Sequence, residues 1–184
     1  MTIESTPLEG CLIIKPAVFG DERGYFFESF NQEKFNKLTG HNTVFVQDNQ
    51  SYSAKGVLRG LHLQKGASAQ SKLVRVVKGE VLDVAVDLRT GSATYGKHFG
   101  IRLSETNHLQ LFIPRGFAHG FVVLSDDAIF QYKCDNYYDK AAEGGVHYAD
   151  PKLAIDWILP PDQLIVASKD IELPYMENIG ELGF

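Results

Sequence analysis

The chain contains no run of lysine or arginine. Its 184 residues carry 18 Lys+Arg against 23 Asp+Glu, a net charge of −5 at pH 7. Without a basic stripe, nucleic acid and membrane surfaces are poor partners. Cysteine is scarce: Cys11 and Cys134 stand far apart and read as two free thiols of a reducing cytoplasm, not as a disulfide framework. No segment approaches about 18 consecutive apolar residues, so none is read as a bilayer span. The first residues, Met1 to Ser5, have neither the basic nor the apolar region of a signal peptide. A Gly-rich phosphate loop, a Gly-x-Ser-x-Gly elbow and a dinucleotide fingerprint are all missing, which weakens kinase, hydrolase and dehydrogenase readings. There is no internal repeat, low-complexity tract or linker. The expectation is one soluble cytoplasmic domain over residues 1–184.

What is present is ordinary in bulk and distinctive in detail. Hydrophobic residues make up 44% and charged residues 22%. A chain of this size buries about 70% of its unfolded surface, so its core needs no metal or disulfide. Short apolar segments recur between Gly-rich turns. Cys11–Ile14, the aromatic Tyr25–Phe30, Thr43–Gln47, Lys72–Val77, Val81–Asp87, His98–Leu103, Leu109–Pro114, Gly120–Leu124 and Ala128–Cys134 read as strands. Asp48–Ser51 reads as a polar turn or strand end. One helix is expected from Ser29, with Gln32 in capping-box spacing, Phe35 and Leu38 on one face, and Gly40 as the stop. The tail after Tyr137 is loop-like, anchored by Trp157, with a last strand at Gln163–Val166. Many short strands with one helix predict an all-β sandwich or barrel.

The stretch Gly56-Val-Leu-Arg-Gly-Leu-His62-Leu-Gln64 places an arginine and a histidine inside an apolar strand pattern. Ionisable groups enter strands for a reason. His62 has the intrinsic pKa of a base that works near neutral pH; taken alone it is equally a satisfied structural histidine. Simple alternation groups His62 with Leu58, Gly60 and Gln64 and puts Arg59 on the opposite face. A bulge at Gly60 would bring Arg59 and His62 to the same side. Lys72 shares parity with Val74 and Val76 and reads either as a strand-end lysine in water or as a cation facing a developing enolate or an anionic ligand. Tyr132 reads as a core tyrosine or as a general acid. Asp170 reads as a solvated turn carboxylate, unless it folds back to orient His62.

Pro114-x-Gly116-x-x-His119 has the spacing of the second motif of cupin barrels, and Gly60-x-His62 resembles a reduced first motif. Metal-binding cupins offer a His-x-His pair, and here Leu63 and Gln64 follow His62. Two isolated histidines make a poor metal set. The fold expectation is a cupin-type jelly-roll β-barrel with a short N-terminal helix and a loop and short-helix C-terminal tail, with no required metal or cofactor.

Seven ordered segments carry a closer resemblance. They are Gly20–Glu28, Gln47–Ser51, Gly56–His62, Lys72–Glu80, Ile113–Phe121, Tyr132–Tyr138 and Ser168–Asp170. Together they strongly resemble the dTDP-4-dehydrorhamnose 3,5-epimerase family. The resemblance implies a cofactor-free homodimer acting on dTDP-4-dehydro-6-deoxy-D-glucose. It implies that His62 takes the proton, held by Asp170, and that Tyr132 returns one from the other face. Lys72 is implied near the C4 oxygen, and Arg23 and Arg59 at the diphosphate or sugar. Glu28, Gln47, Asn49, His119, Glu143 and Lys169 match further substrate-contacting positions, and Tyr138 an aromatic stacked on thymine. Leu63 stands where the family usually has an aromatic, and Ser71 where glycine is common. The alternatives are an epimerase of one carbon, a metal-dependent cupin oxygenase and a non-catalytic nucleotide-sugar binder.

Overall fold

The computed structural model describes residues 1–184. In chain order it contains β1 (Thr2–Ser5), β2 (Leu12–Lys15), β3 (Val18–Asp21), β4 (Gly24–Phe27), α1 (Gln32–Thr39), β5 (Gln47–Ala54), β6 (Val57–Gln64) and β7 (Lys72–Lys78). There follow β8 (Glu80–Asp87), β9 (His98–Ser104), β10 (Gln110–Ile113), β11 (Phe117–Val123), β12 (Asp127–Cys134), β13 (Glu143–Gly145), β14 (Ile165–Val166) and α2 (Ser168–Ile171). Two large sheets form the body. One has the order β1-β2-β10-β7-β12-β5; the other is β13-β6-β11-β8-β9, with β14 added in parallel beside β6. β3 and β4 form a separate hairpin. This is the expected all-β jelly roll of cupin type.

Three apolar layers follow from the period-2 alternation of the strands. Val74, Val76, Val81, Leu111, Phe121 and Phe130 form the largest cluster, from the facing sides of the two sheets. Leu82, Val84 and Val86 point away from it, as their spacing predicts, and are covered by the tail through Leu153 and Trp157. The Trp157 indole donates to the Tyr148 carbonyl at 2.9 Å, which anchors that tail. On the outside of the first sheet, Ile14, Leu73 and Phe112 are covered by Phe35 of α1.

Several boundaries differ from the sequence expectation. The helix starts at Gln32, because the Asn31 side chain, not Ser29, accepts the Lys34 N–H at 3.0 Å. Gly40 does end it, at φ 73°, with its N–H on the Asn36 carbonyl. Phe35 is buried, whereas Leu38 is exposed. Residues 43–46 form no strand, and β5 occupies the polar stretch expected as a turn or strand end. The aromatic strand stops at Phe27, and only Ile165–Val166 of the expected last strand is paired.

Candidate active site

The open end between the sheets holds a cavity of about 730 Å³. β6 supplies the centre of one wall. His119 of β11 pairs with His62, but Phe121 pairs with Arg59, so Gly60 and Leu61 of β6 oppose Gly120 alone. This is the bulge the sequence called for. It resets the parity of the strand. Arg59, His62 and Gln64 line the cavity, while Leu58, Leu61 and Leu63 pack in the outer cluster, Leu58 and Leu63 also touching the cavity wall. Leu58 therefore does not share a face with His62, and Arg59 does. The bulge needs glycine: Gly60 has φ 128°, and a Cβ there would lie 2.6 Å from Gly120 Cα.

His62 is held by a carboxylate from the far end of the chain. Its Nε2 lies 2.7 Å from Asp170 Oδ1, and Asp170 Oδ2 accepts the Gly60 N–H at 3.2 Å. Asp170 is on α2, not in a solvated turn, and is 2% exposed. Burial alone would raise its pKa, but the His62 contacts and the Gly60 N–H carry it below the usual carboxylate value. An ionised Asp170 fixes the tautomer: Nε2 carries the proton and Nδ1 keeps its lone pair.

The other sheet supplies Tyr132, from the middle of β12. Burial, and then Cys134, raise the phenol pKa, with Arg59 opposing, so the hydroxyl keeps its proton at neutral pH. Lys72, at the start of β7, lines the same cavity, with Nζ 3.5 Å from the His62 carbonyl. Burial lowers its pKa, and the charges of Cys134 and Asp83 oppose that. Arg59 Nε donates to Ser53 Oγ at 3.1 Å.

A polar rim surrounds these groups. Gln47 Nε2 donates to Asn49 Oδ1 at 3.0 Å, and Asn49 Nδ2 reaches Cys134 Sγ at 3.7 Å. Glu143 accepts the Tyr138 hydroxyl and the Lys169 ammonium, each at 3.1 Å. His119 lies deeper, with Nε2 2.8 Å from Asp83 Oδ2. Burial lowers the His119 pKa and Asp83 opposes it.

Two expected site residues are not brought to this cavity. Arg23 is exposed and forks onto Asp21 beside the β3–β4 turn. Glu28 follows the same hairpin and pairs with Lys34 at 2.8 Å. Conversely, Asp83, Cys134 and Gln70 were not anticipated as site residues. Asp83 had a readable signal: it shares strand parity with the buried Val81 and Ala85 in the middle of β8, where a carboxylate needs a partner. No group of three or more His, Cys, Asp or Glu side chains is placed to hold a metal ion.

A histidine held by a buried carboxylate and a protonated phenol, from the two sheets of a jelly roll, line one cavity, a set of groups able to do acid–base chemistry in a barrel of the cupin class. The comparisons narrow the class. The family model described as dTDP-4-dehydrorhamnose 3,5-epimerase matches residues 5–178. The chain is 52% identical over 179 residues to the dTDP-4-dehydrorhamnose 3,5-epimerase of Escherichia coli K12, covering 97% of this chain and 96% of that protein. The crystal structure of the dTDP-4-dehydrorhamnose 3,5-epimerase from Elizabethkingia anophelis superposes with a TM-score of 0.93 at 56% identity, covering 96% of this chain and 97% of that one. A Legionella pneumophila dTDP-6-deoxy-D-glucose-3,5-epimerase, in complex with dTDP-4-keto-L-rhamnose, gives a TM-score of 0.93 at 49% identity, covering 97% and 94%. The chain belongs to the dTDP-4-dehydrorhamnose 3,5-epimerase family.

Proposed function

We propose that the chain inverts C3 and C5 of dTDP-4-dehydro-6-deoxy-D-glucose, the 3,5-epimerase activity of its family, with His62 as base and Tyr132 as acid. The observation that supports these roles is the 2.7 Å His62–Asp170 contact on one sheet with Tyr132 on the facing one. A C4 ketone acidifies the C–H bonds on either side of it, because the carbanion delocalises into an enolate. His62 Nδ1 removes a proton from one face, and Tyr132 returns one to the other. Each inversion conserves protons and electrons, so no redox cofactor is needed. A positioned proton transfer supplies about 10²–10⁴-fold. Lys72 stabilises the enolate oxygen as charge develops there.

Arg59 meets the diphosphate or sugar, and Tyr138 stacks on the thymine. Gln47, Asn49, His119, Glu143 and Lys169 complete the contacts. Arg23 and Glu28 reach substrate only from a second copy of the chain, so the working form is a homodimer. Its contact is the β3–β4 hairpin, whose Phe19, Tyr25 and Phe26 are 67%, 60% and 71% exposed. The compartment is the cytoplasm, which suits the two free thiols. No helix is long and apolar enough to cross a membrane.

Turnover in deuterated water tests the reaction. Solvent deuterium is expected at both C3 and C5 of the product. Label at C3 alone would identify a single-carbon epimerase instead.

A further inference from the structure

Three glutamines from separate segments end on one short turn. Gln47 Oε1 accepts the Tyr138 N–H at 3.2 Å, Gln64 Oε1 accepts the Asp139 N–H at 2.8 Å, and Gln70 Nε2 donates to the Asn136 carbonyl at 2.8 Å. All three line the cavity. Gln47 has both amide ends occupied, since its Nε2 is on Asn49. Gln64 and Gln70 each use one end only. The backbone fixes which end is left: Gln64 keeps a free Nε2 donor, and Gln70 a free Oε1 acceptor. Neither free end is among the buried unpartnered atoms, and both side chains belong to the cavity lining.

We propose that Gln64 and Gln70 read the polar edge of the base held against Tyr138. Gln64 Nε2 donates to a ring carbonyl, and Gln70 Oε1 accepts the imide N–H. This rests on the reading that Tyr138 stacks on the base. The signs select the ligand group. A diphosphate offers only acceptors and would set its oxygens against Gln70 Oε1. An imide edge offers a carbonyl beside an N–H and uses both free ends. Because the same amides clamp the turn, they also fix where the Tyr138 ring stands.

The test is the dissociation constant of the full-length protein for dTDP, N3-methyl-dTDP and inorganic pyrophosphate, by titration calorimetry. Wild type is expected to bind dTDP about tenfold more tightly than the N3-methyl analogue, the worth of a hydrogen bond whose partner would otherwise be left unpaired. Gln64→Glu keeps an oxygen for the Asp139 N–H but removes the free donor. It should weaken dTDP about tenfold, with the loss in KM more than in kcat. Gln70→Met should reduce the dTDP preference over the analogue to less than about threefold. Equal binding of dTDP and N3-methyl-dTDP by wild type overturns the proposal without needing any variant to fold. So does a Gln64→Glu loss that appears equally for pyrophosphate, which would assign the donor to the diphosphate. Tyr138→Ala separates the two layers. If it binds dTDP as wild type does, the stacking reading fails and this inference with it. If it weakens dTDP while the glutamine variants do not, only this inference fails.

Discussion

The barrel holds two histidine–aspartate pairs side by side, and they are built differently. His62 and His119 are cross-strand partners on β6 and β11. The His62 side chain is 27% exposed and the His119 side chain 8%. Asp170 arrives from the tail and has both oxygens occupied, by His62 and by the Gly60 N–H. Asp83 stands on β8 within the same sheet, fully buried, with Oδ1 unpartnered. The first pair can exchange a proton with something in the cavity and return to the same geometry. The second reaches the cavity only as part of its wall, and burial disfavours a charged His119. Similar chemistry at adjacent positions thus gives a base in one place and a fixed polar wall in the other.

Substitution of the histidines is the strongest way to break the comparison. His62→Ala is expected to lower kcat by about 10²–10⁴-fold while changing dTDP affinity by less than about threefold. His119→Ala should act mainly on KM. Steady-state kinetics beside dTDP titration measures both. A His62→Ala enzyme with near-normal kcat would end the assignment of His62 as base.

The aspartates come next. Asp170→Asn keeps the shape but no longer favours the Nδ1-basic tautomer or stabilises the protonated ring. A loss of about 10²-fold in kcat is expected. Asp83→Asn should cost less than about tenfold, because the amide oxygen can still accept from His119 Nε2. Equal losses in the two variants would show that the pairs are not functionally distinct.

The bulge is what gives His62 its aspect, and Gly60→Ala probes it. The new Cβ would sit 2.8 Å from the His119 carbonyl at a φ of 128° that side chains avoid. Destabilisation of more than about 1 kcal/mol and a drop of roughly tenfold in kcat are expected, from displacement of His62 relative to Asp170. Thermal unfolding and single-turnover rates read the two effects separately. Unchanged stability would mean that the close approach to Gly120 relaxes freely.

Local signals made much of this legible in the sequence. Gly60 between Arg59 and His62 announced the bulge, Gly40 the helix end, and Leu82-x-Val84-x-Val86 the covered outer face. Long-range pairing was less legible. Nothing in Ser168-Lys-Asp170 says that its carboxylate meets a histidine 108 positions earlier. That contact requires the tail to cross the outer face and return beside β6. β5 reads in the sequence only as a turn or strand end because Gln47-Asp-Asn-Gln-Ser51 has poor strand propensity. It is an edge strand whose alternate side chains face the polar-lined cavity, so polar residues suit it where an apolar core would refuse them. Arg23 and Glu28 were grouped with the site by resemblance, yet within one chain Arg23 stays on an exposed hairpin and Glu28 just after it, a separation no residue pattern reveals.

Acid sensitivity gives the smallest and most selective test of the accessible pair. The Asp170 pKa is lowered on folding, burial being outweighed by the His62 and Gly60 contacts. A carboxylate with a lowered folded pKa stabilises the fold above its unfolded value of 3.8, and that contribution is lost as pH falls through the folded value. The melting-temperature gap between wild type and Asp170→Asn should therefore be widest above about pH 5 and close as the solution is acidified. Asp87 supplies the internal standard. Burial would raise it, but Arg89, Ser92 and Thr94 bring it down to about 2. That corresponds to a contribution on the order of 2 kcal/mol. The gap for Asp87→Asn should persist to lower pH than the gap for Asp170→Asn. If the Asp170→Asn gap instead widened with acid, Asp170 would be binding its proton more tightly in the folded state. The carboxylate would then be neutral where His62 needs it ionised.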